Sequence, residues 1–236
     1  MRIALPWLDD DTLDFPDTAT ALTDPNGLLA AGGDLRPPRL LAAYQHGIFP
    51  WYSANQPLLW WSPDPRMVLF PAEIKISRSL SKILRQNHFA VTTDTAFAAV
   101  LAGCAGPRRG VDGTWLDSGM QQAYLQLHRA GHAHSVEIWR NGQLAGGLYG
   151  IALDGIFFGE SMFSHQNNAS KVALVWLAHT LVEYGVRLID CQLQSPHLAS
   201  MGARTIPRNE FNGFLPATAD ISRPARWPIQ WQRLRC

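Results

Sequence analysis

SVEIWRNGQLAGGLYGIALDGIFFGESMF, residues Ser135 to Phe163, decides the architecture. It holds three apolar, strand-like runs separated by two dipeptides, Asn141-Gly142 and Asp154-Gly155. Both dipeptides suit two-residue hairpins, because Asn, Asp and Gly tolerate the positive φ that such turns need. The stretch predicts strands over Ser135–Arg140, Leu144–Leu153 and Ile156–Phe163, the second loosened by Gly146 and Gly147. Downstream, Asn168 can cap a helix from Ala169 to Tyr184, and Gly185 can end it. Val186 to Leu193 returns to a strand. A meander, a buried helix and a further strand make an α+β sheet with helices packed on it.

That last strand carries Asp190-Cys191-Gln192. Side chains alternate along a strand, so Asp190 and Gln192 are expected on one side and Cys191 on the other, towards the core. A carboxylate and an amide at the exit of an apolar strand cost stability unless a ligand or partner uses them. The pair is the expected chemical centre.

Upstream, Pro37–His46, Ser77–Asn87 and Ala96–Cys104 read as helices. Ser118-x-x-Gln121 has the form of a capping box, opening a helix that stops at Gly131. Residues 1–70, rich in Pro, Gly and Trp, are expected to form an N-terminal domain, and residues 71–236 the main one. Hydrophobic content of 47% and charged content of 17% allow a sizeable core, while a net charge of +1 excludes a generally polycationic binder. Three distant cysteines without a Cys-x-x-Cys argue against a disulfide framework or a structural zinc site and fit a reducing compartment. Neither the N-terminus nor Val172–Val182 has the length of a signal or membrane segment. The expectation is a cytoplasmic monomer with no membrane contact.

The order of elements is similar to that of acetyl-CoA-dependent N-acetyltransferases. Those enzymes grip pyrophosphate with a Gly-rich turn before the helix. Here the connection, residues 164–168, contains no glycine, so coenzyme A is not expected as the acyl donor, and no cofactor is expected. Five blocks in register then resemble the bacterial leucyl/phenylalanyl-tRNA–protein transferases. They are Gly27 to Leu35, Gly47-Ile48-Phe49-Pro50-Trp51-Tyr52, and Trp60-Trp61-Ser62-Pro63-Asp64-Pro65-Arg66. Gly159 to Ser164 continues through Asn168-Ala169-Ser170-Lys171, and Ile189-Asp190-Cys191-Gln192 is followed by His197 and Gly202-Ala203. The resemblance implies a small N-terminal α/β domain followed by an acetyltransferase-like domain with a mostly antiparallel sheet. It also implies transfer of Leu or Phe, and less well Met, from aminoacyl-tRNA to proteins beginning with Arg or Lys, marking them for degradation.

The resemblance assigns tasks to residues. Lys75, Arg78, Lys82 and Arg85 would hold the tRNA, the last three forming one stripe of the helix from Ser77 opposite Leu80, Ile83 and Leu84. Trp51, Trp115 and Tyr124 would be platforms for the terminal adenine or walls of the cleft, whereas Trp60-Trp61 read as structural. Leu148, Met162, Leu174, Leu177 and Ile189 would line the aminoacyl pocket, although alternation sets Ile189 opposite Asp190. Glu160, an acid interrupting an apolar strand, would lie near an amine. In the expected reaction the acceptor amine attacks the ester directly. Asp190 orients the amine and polarises Gln192, whose carbonyl accepts its hydrogen bond; alternatively Gln192 only positions, and the ribose hydroxyl relays the proton. Many relatives carry Asn where this chain has Ser195, a shorter hydrogen-bonding side chain. No metal site is expected at His128, His132 and His134, which lack a companion Cys or carboxylate at ligand spacing. A coenzyme A-dependent acyltransferase and a non-catalytic RNA- or peptide-binding module are the rival readings.

Overall fold

The computed structural model describes residues 5–53, 55–106 and 116–215. A small four-stranded sheet comes first, built from β1 (Trp7–Leu8), β2 (Leu28–Gly32), β3 (Phe49–Pro50) and β4 (Leu59–Trp61). Its order is β1-β2-β4-β3, and helix α1 (Pro37–Gln45) connects β2 to β3. Pro37 and Pro38 open α1 where a missing N–H does no harm, and Gly47 beyond its end has φ 69°.

The remaining elements build a seven-stranded sheet. They are β5 (Arg66–Leu69), α2 (Arg78–Gln86), β6 (Ala90–Thr93), α3 (Phe97–Ala105), α4 (Ser118–Arg129), β7 (Ala133–Arg140), β8 (Gln143–Leu153) and β9 (Ile156–Ser164). After them come α5 (Ala169–Glu183), β10 (Leu188–Gln192), α6 (Pro196–Ser200), β11 (Arg204–Ile206) and α7 (Arg208–Asn212). The order is β11-β5-β10-β9-β8-β7-β6, antiparallel at every pairing except β9 with β10. That parallel pair is joined by the crossover helix α5, as the α+β reading expects. Strand β5 pairs with β10 and β11, so residues 66–69 lie in the large sheet, upstream of the division expected at residue 70.

Local chemistry explains most boundaries. Both meander turns have two positive φ values, 53° and 75° at Asn141-Gly142 and 36° and 85° at Asp154-Gly155. These suit the right-handed twist of the flanking strands. Helix α4 is capped one residue earlier than the Ser118 box predicts: Asp117 accepts from the Met120 N–H at 2.8 Å, and Gln121 instead donates to the Leu116 carbonyl. Asn168 precedes α5 in a left-handed conformation without a side-chain cap; the Ser164 hydroxyl accepts from the Ser170 N–H.

Two cores sandwich the large sheet. Leu40, Tyr44, Trp60, Phe97, Tyr124, Tyr149, Phe158 and Phe211 belong to one, joining the small sheet, α1, α3 and α4 to one face. Met67, Leu80, Leu148, Phe157, Leu174, Leu177, Ile189 and Cys191 belong to the other, centred on α5. Helix α5 is apolar nearly all round and mostly buried, as a central helix must be. No helix among the described residues is long and apolar enough to cross a membrane.

Candidate active site

The site lies where β9 and β10 part. Their parallel register runs Leu188–Ile156, Ile189–Phe157 and Asp190–Phe158 and then stops. Each strand has an irregularity just there. On β9, Tyr149 faces Ser161 and Gly150 faces Gly159, so Glu160 is an extra residue. On β10, Asp190 faces Val68 and Gln192 faces Met67, so Cys191 is extra. A bulge adds one residue, bends its strand and resets side-chain alternation. Phe158 and Glu160 therefore look to the Tyr124 side, whereas Met162 packs towards α5.

A cavity of about 210 Å³ opens in the split. One water needs only roughly 10–15 Å³, so this space is of ligand size. Leu148, Met162, Leu174, Leu177 and Ile189 all line it, brought together from β8, β9, α5 and β10. Glu160, Asp190, Gln192, Ser195 and His197 also line it. The alternation problem at Ile189 is resolved by position: Ile189 faces α5 and Asp190 the opposite core, but at the parted strand ends both reach the cavity. A larger cleft of about 410 Å³ lies between α2, β6, β7 and α5, but no carboxylate lines it.

Asp190 does not present a free carboxylate. It is fully buried, and Arg66 of β5, equally buried, donates to both its oxygens at 2.8 and 2.7 Å. Such a bidentate pair is strong and geometrically specific. Arg66 also donates to the Gly47 carbonyl at 3.0 Å and sits over the rings of Phe49 and Phe211. The expectation that Asp190 meets an incoming ammonium is thus corrected: a guanidinium already occupies it. The expected side-by-side placement of Asp190 and Gln192 changes as well. The extra Cys191 and the left-handed backbone of Gln192, φ 56°, break the alternation. The link between them is the Gln192 backbone N–H donating to Asp190 Oδ1 at 3.0 Å. The Gln192 side-chain Nε2 is buried without a hydrogen-bond partner.

Glu160 is the other polar wall. Tyr124 donates its hydroxyl to Glu160 Oε2 at 2.6 Å, and the Tyr44 hydroxyl lies 2.9 Å from that of Tyr124. Glu160 Oε1 is buried and unpartnered. Burial pushes the Glu160 carboxyl up to about 7, against the lowering effect of the tyrosine hydroxyls; Asp190 raises it further and Arg66 lowers it. Burial also holds both tyrosines far above their ordinary range, so they are donors throughout. Tyr124 is therefore not a stacking platform: its ring is fully buried in the core and its hydroxyl fixes Glu160. Trp51 is 41% exposed, with its ring 5.5 Å from that of Trp61, and does not line the cavity. Trp60 is buried and donates to the Gly32 carbonyl, as a structural residue does. Trp115 lies outside the described residues.

Lys75, Arg78, Lys82 and Arg85 are exposed, and Leu80, Ile83 and Leu84 turn inward, as the spacing predicts. Burial places the Cys191 thiol well above its usual range, unsuited to nucleophilic attack. His134 is bonded to Asp94 at 2.8 Å, and no group of three or more His, Cys, Asp or Glu that could hold a metal occurs among the described residues. Sequence reasoning missed the roles of Arg66 and Tyr44. The available signal was a lone arginine opening the apolar run Met67-Val68-Leu69.

The family model described as leucyl/phenylalanyl-tRNA protein transferase matches residues 68–216, and the model of that family's N-terminal domain matches residues 33–64. The chain is 59% identical to the leucyl/phenylalanyl-tRNA–protein transferase of Stutzerimonas stutzeri (strain A1501), over 94% of this chain and 99% of that protein. It is 56% identical to the protein of the same name from Ectopseudomonas mendocina (strain ymp), over the same shares. Among solved structures, it pairs with a GCN5-related N-acetyltransferase from Kribbella flavida at a TM-score of 0.36 and 11% identity, over 70% of this chain and 58% of that one. From the paired blocks of sequence through to these matches along nearly the whole length, the chain belongs to the leucyl/phenylalanyl-tRNA–protein transferase family and is an aminoacyltransferase.

Proposed function

We propose that the cavity takes the Leu or Phe side chain, and less well that of Met, of an aminoacyl ester still attached to tRNA. The acyl group passes to the α-amine of a protein beginning with Arg or Lys, making a degradation signal. The observation that carries this reading is the pairing of an apolar wall with two buried polar atoms that lack partners, Gln192 Nε2 and Glu160 Oε1. A buried orphan donor or acceptor costs about 1–3 kcal/mol, so such atoms are expected to meet a ligand.

An aminoacyl ester is already activated, so no acyl-enzyme is needed. The amine nitrogen attacks the carbonyl carbon; the C–N bond forms, the ester C–O bond breaks, and the ribose oxygen leaves as a hydroxyl, receiving the proton that the amine gives up by way of Glu160. Gln192 Nε2 donates to the carbonyl oxygen as negative charge builds on it. Glu160 Oε1 receives an N–H of the acceptor amine, and with its pKa near 7 it is poised to take that proton at neutral pH. An α-amine itself titrates near pH ~8, so a neutral fraction exists to attack. Asp190 and Arg66 act at one remove, holding the Gln192 backbone in place. Lys75, Arg78, Lys82 and Arg85 on and beside α2 attract the RNA backbone without reading its sequence, and Trp51 and Trp115 hold the terminal adenosine.

The test is direct. Purified protein mixed with radiolabelled Leu-tRNA and a peptide beginning with Arg should label the peptide N-terminus. Label on a peptide beginning with Asp to the same extent, or none on either, would reject the reading.

A further inference from the structure

Lys171 is a cation one helical turn from the cavity wall, which it does not itself line. On α5 it precedes the cavity-lining Leu174 by three positions and Leu177 by six, so it lies beside the same face, in the helix's first turn. It is partly buried, and among the described residues no carboxylate pairs with it. His197, which lines the cavity, feels its charge: burial first, and then Lys171, hold the imidazole below its ordinary pKa. Helical spacing therefore keeps the cation within one turn of the cavity-lining Leu174, at the positive end of the helix.

Charge decides which substrate meets it. An acceptor beginning with Arg or Lys is cationic and is repelled by Lys171. The donor is an anion. With its acyl side chain in the cavity, the ester oxygen belongs to the terminal ribose, and the first phosphate is only one sugar away. We infer that Lys171 binds the phosphate on the 5′ side of the terminal adenosine of aminoacyl-tRNA, anchoring the ester beside Gln192 and Glu160. This rests on the reading that the cavity takes the acyl side chain of an aminoacyl ester.

The experiment compares two minimal donors, 3′-O-phenylalanyl-adenosine and its 5′-monophosphate, in transfer to a peptide beginning with Arg. The wild-type protein should prefer the phosphorylated donor by about tenfold in kcat/KM, what one charge-assisted hydrogen bond supplies. Lys171→Gln should abolish most of that preference and Lys171→Arg should restore it. With full-length Phe-tRNA, Lys171→Gln should also lessen the slope of log KM against log salt concentration by about 0.7, the share of one neutralised phosphate on a single strand. An unchanged preference and an unchanged slope would overturn the assignment. So would an equal loss with both small donors, which would make Lys171 a support of the cavity. A wild-type protein that transferred from none of the three donors would remove the reading of the cavity itself, and this assignment with it.

Discussion

Arg66 and Asp190, 124 positions apart in sequence, meet through two parallel hydrogen bonds of 2.8 and 2.7 Å with no solvent on either side chain. Each charge has already lost its water, so removing one leaves the other stranded. Asp190→Asn or Arg66→Met should each lower stability by about 3–5 kcal/mol in urea denaturation. The double change Arg66→Met with Asp190→Leu should recover much of that loss while leaving the protein inactive, because Gln192 has lost its anchor. Recovery of activity along with stability would show that the pair does not serve the site.

Gln192→Ala removes the unpartnered donor. Turnover should fall by about 10²–10³-fold, as for other single oxyanion donors, with donor affinity nearly unchanged. Single-turnover rates and equilibrium binding of Phe-tRNA separate the two effects. Equal losses in both would place Gln192 in binding alone.

Glu160 links activity and stability to pH. Its folded pKa of about 7 lies above the ordinary 4.5, so between these values the native chain keeps a proton that the unfolded chain has released. Its contribution to stability is therefore complete at the acid end of that window and lost as pH rises through about 7. Activity runs the other way, rising towards a shoulder near pH 7 as the carboxylate forms. Glu160→Gln should flatten both profiles. Tyr124→Phe removes a hydrogen bond that favours the ionised form, so the shoulder should move to higher pH. A shoulder that stays put would sever Tyr124 from Glu160 titration.

Volume in the cavity sets donor preference. Leu174→Phe should crowd it and favour the smaller acyl group, raising the Leu-over-Phe ratio of kcat/KM by about tenfold or more. Competition between the two charged tRNAs measures this ratio. An unaltered ratio would move the acyl side chain out of this cavity.

Replacing Arg78, Lys82 and Arg85 together by Ala should weaken donor binding at low salt. The slope of log affinity against log salt should flatten by roughly 0.7–0.9 for each phosphate that is no longer neutralised. An undiminished slope would assign the RNA to another surface.

What the sequence disclosed was what neighbours along the chain decide. Asn141-Gly142 and Asp154-Gly155 bend the meander wherever it is placed, whereas the residues of the cavity are named by the family resemblance and spacing alone reads them as core. The bulges at Glu160 and Cys191 were hidden, because a bulge is a count of two residues against one on another strand. Asp190 read as an open acceptor for the same reason: its partner comes from β5, far upstream. The resemblance offers Tyr124 as a platform, and the sequence cannot object, since an aromatic ring on a helix looks alike whether it faces a nucleotide or a core; the packing of α1 and α4 shows that it is enclosed.

The carbonyl of Gly47 has a wider effect than one hydrogen bond. It belongs to the turn between α1 and β3, yet it steadies the guanidinium that holds Asp190 on β10 of the other sheet. Neither portion is portable. A truncated gene encoding only the residues after 70 would lack Arg66 itself and leave the buried Asp190 carboxylate without its partner, so recombination at residue 70 yields no transferable module.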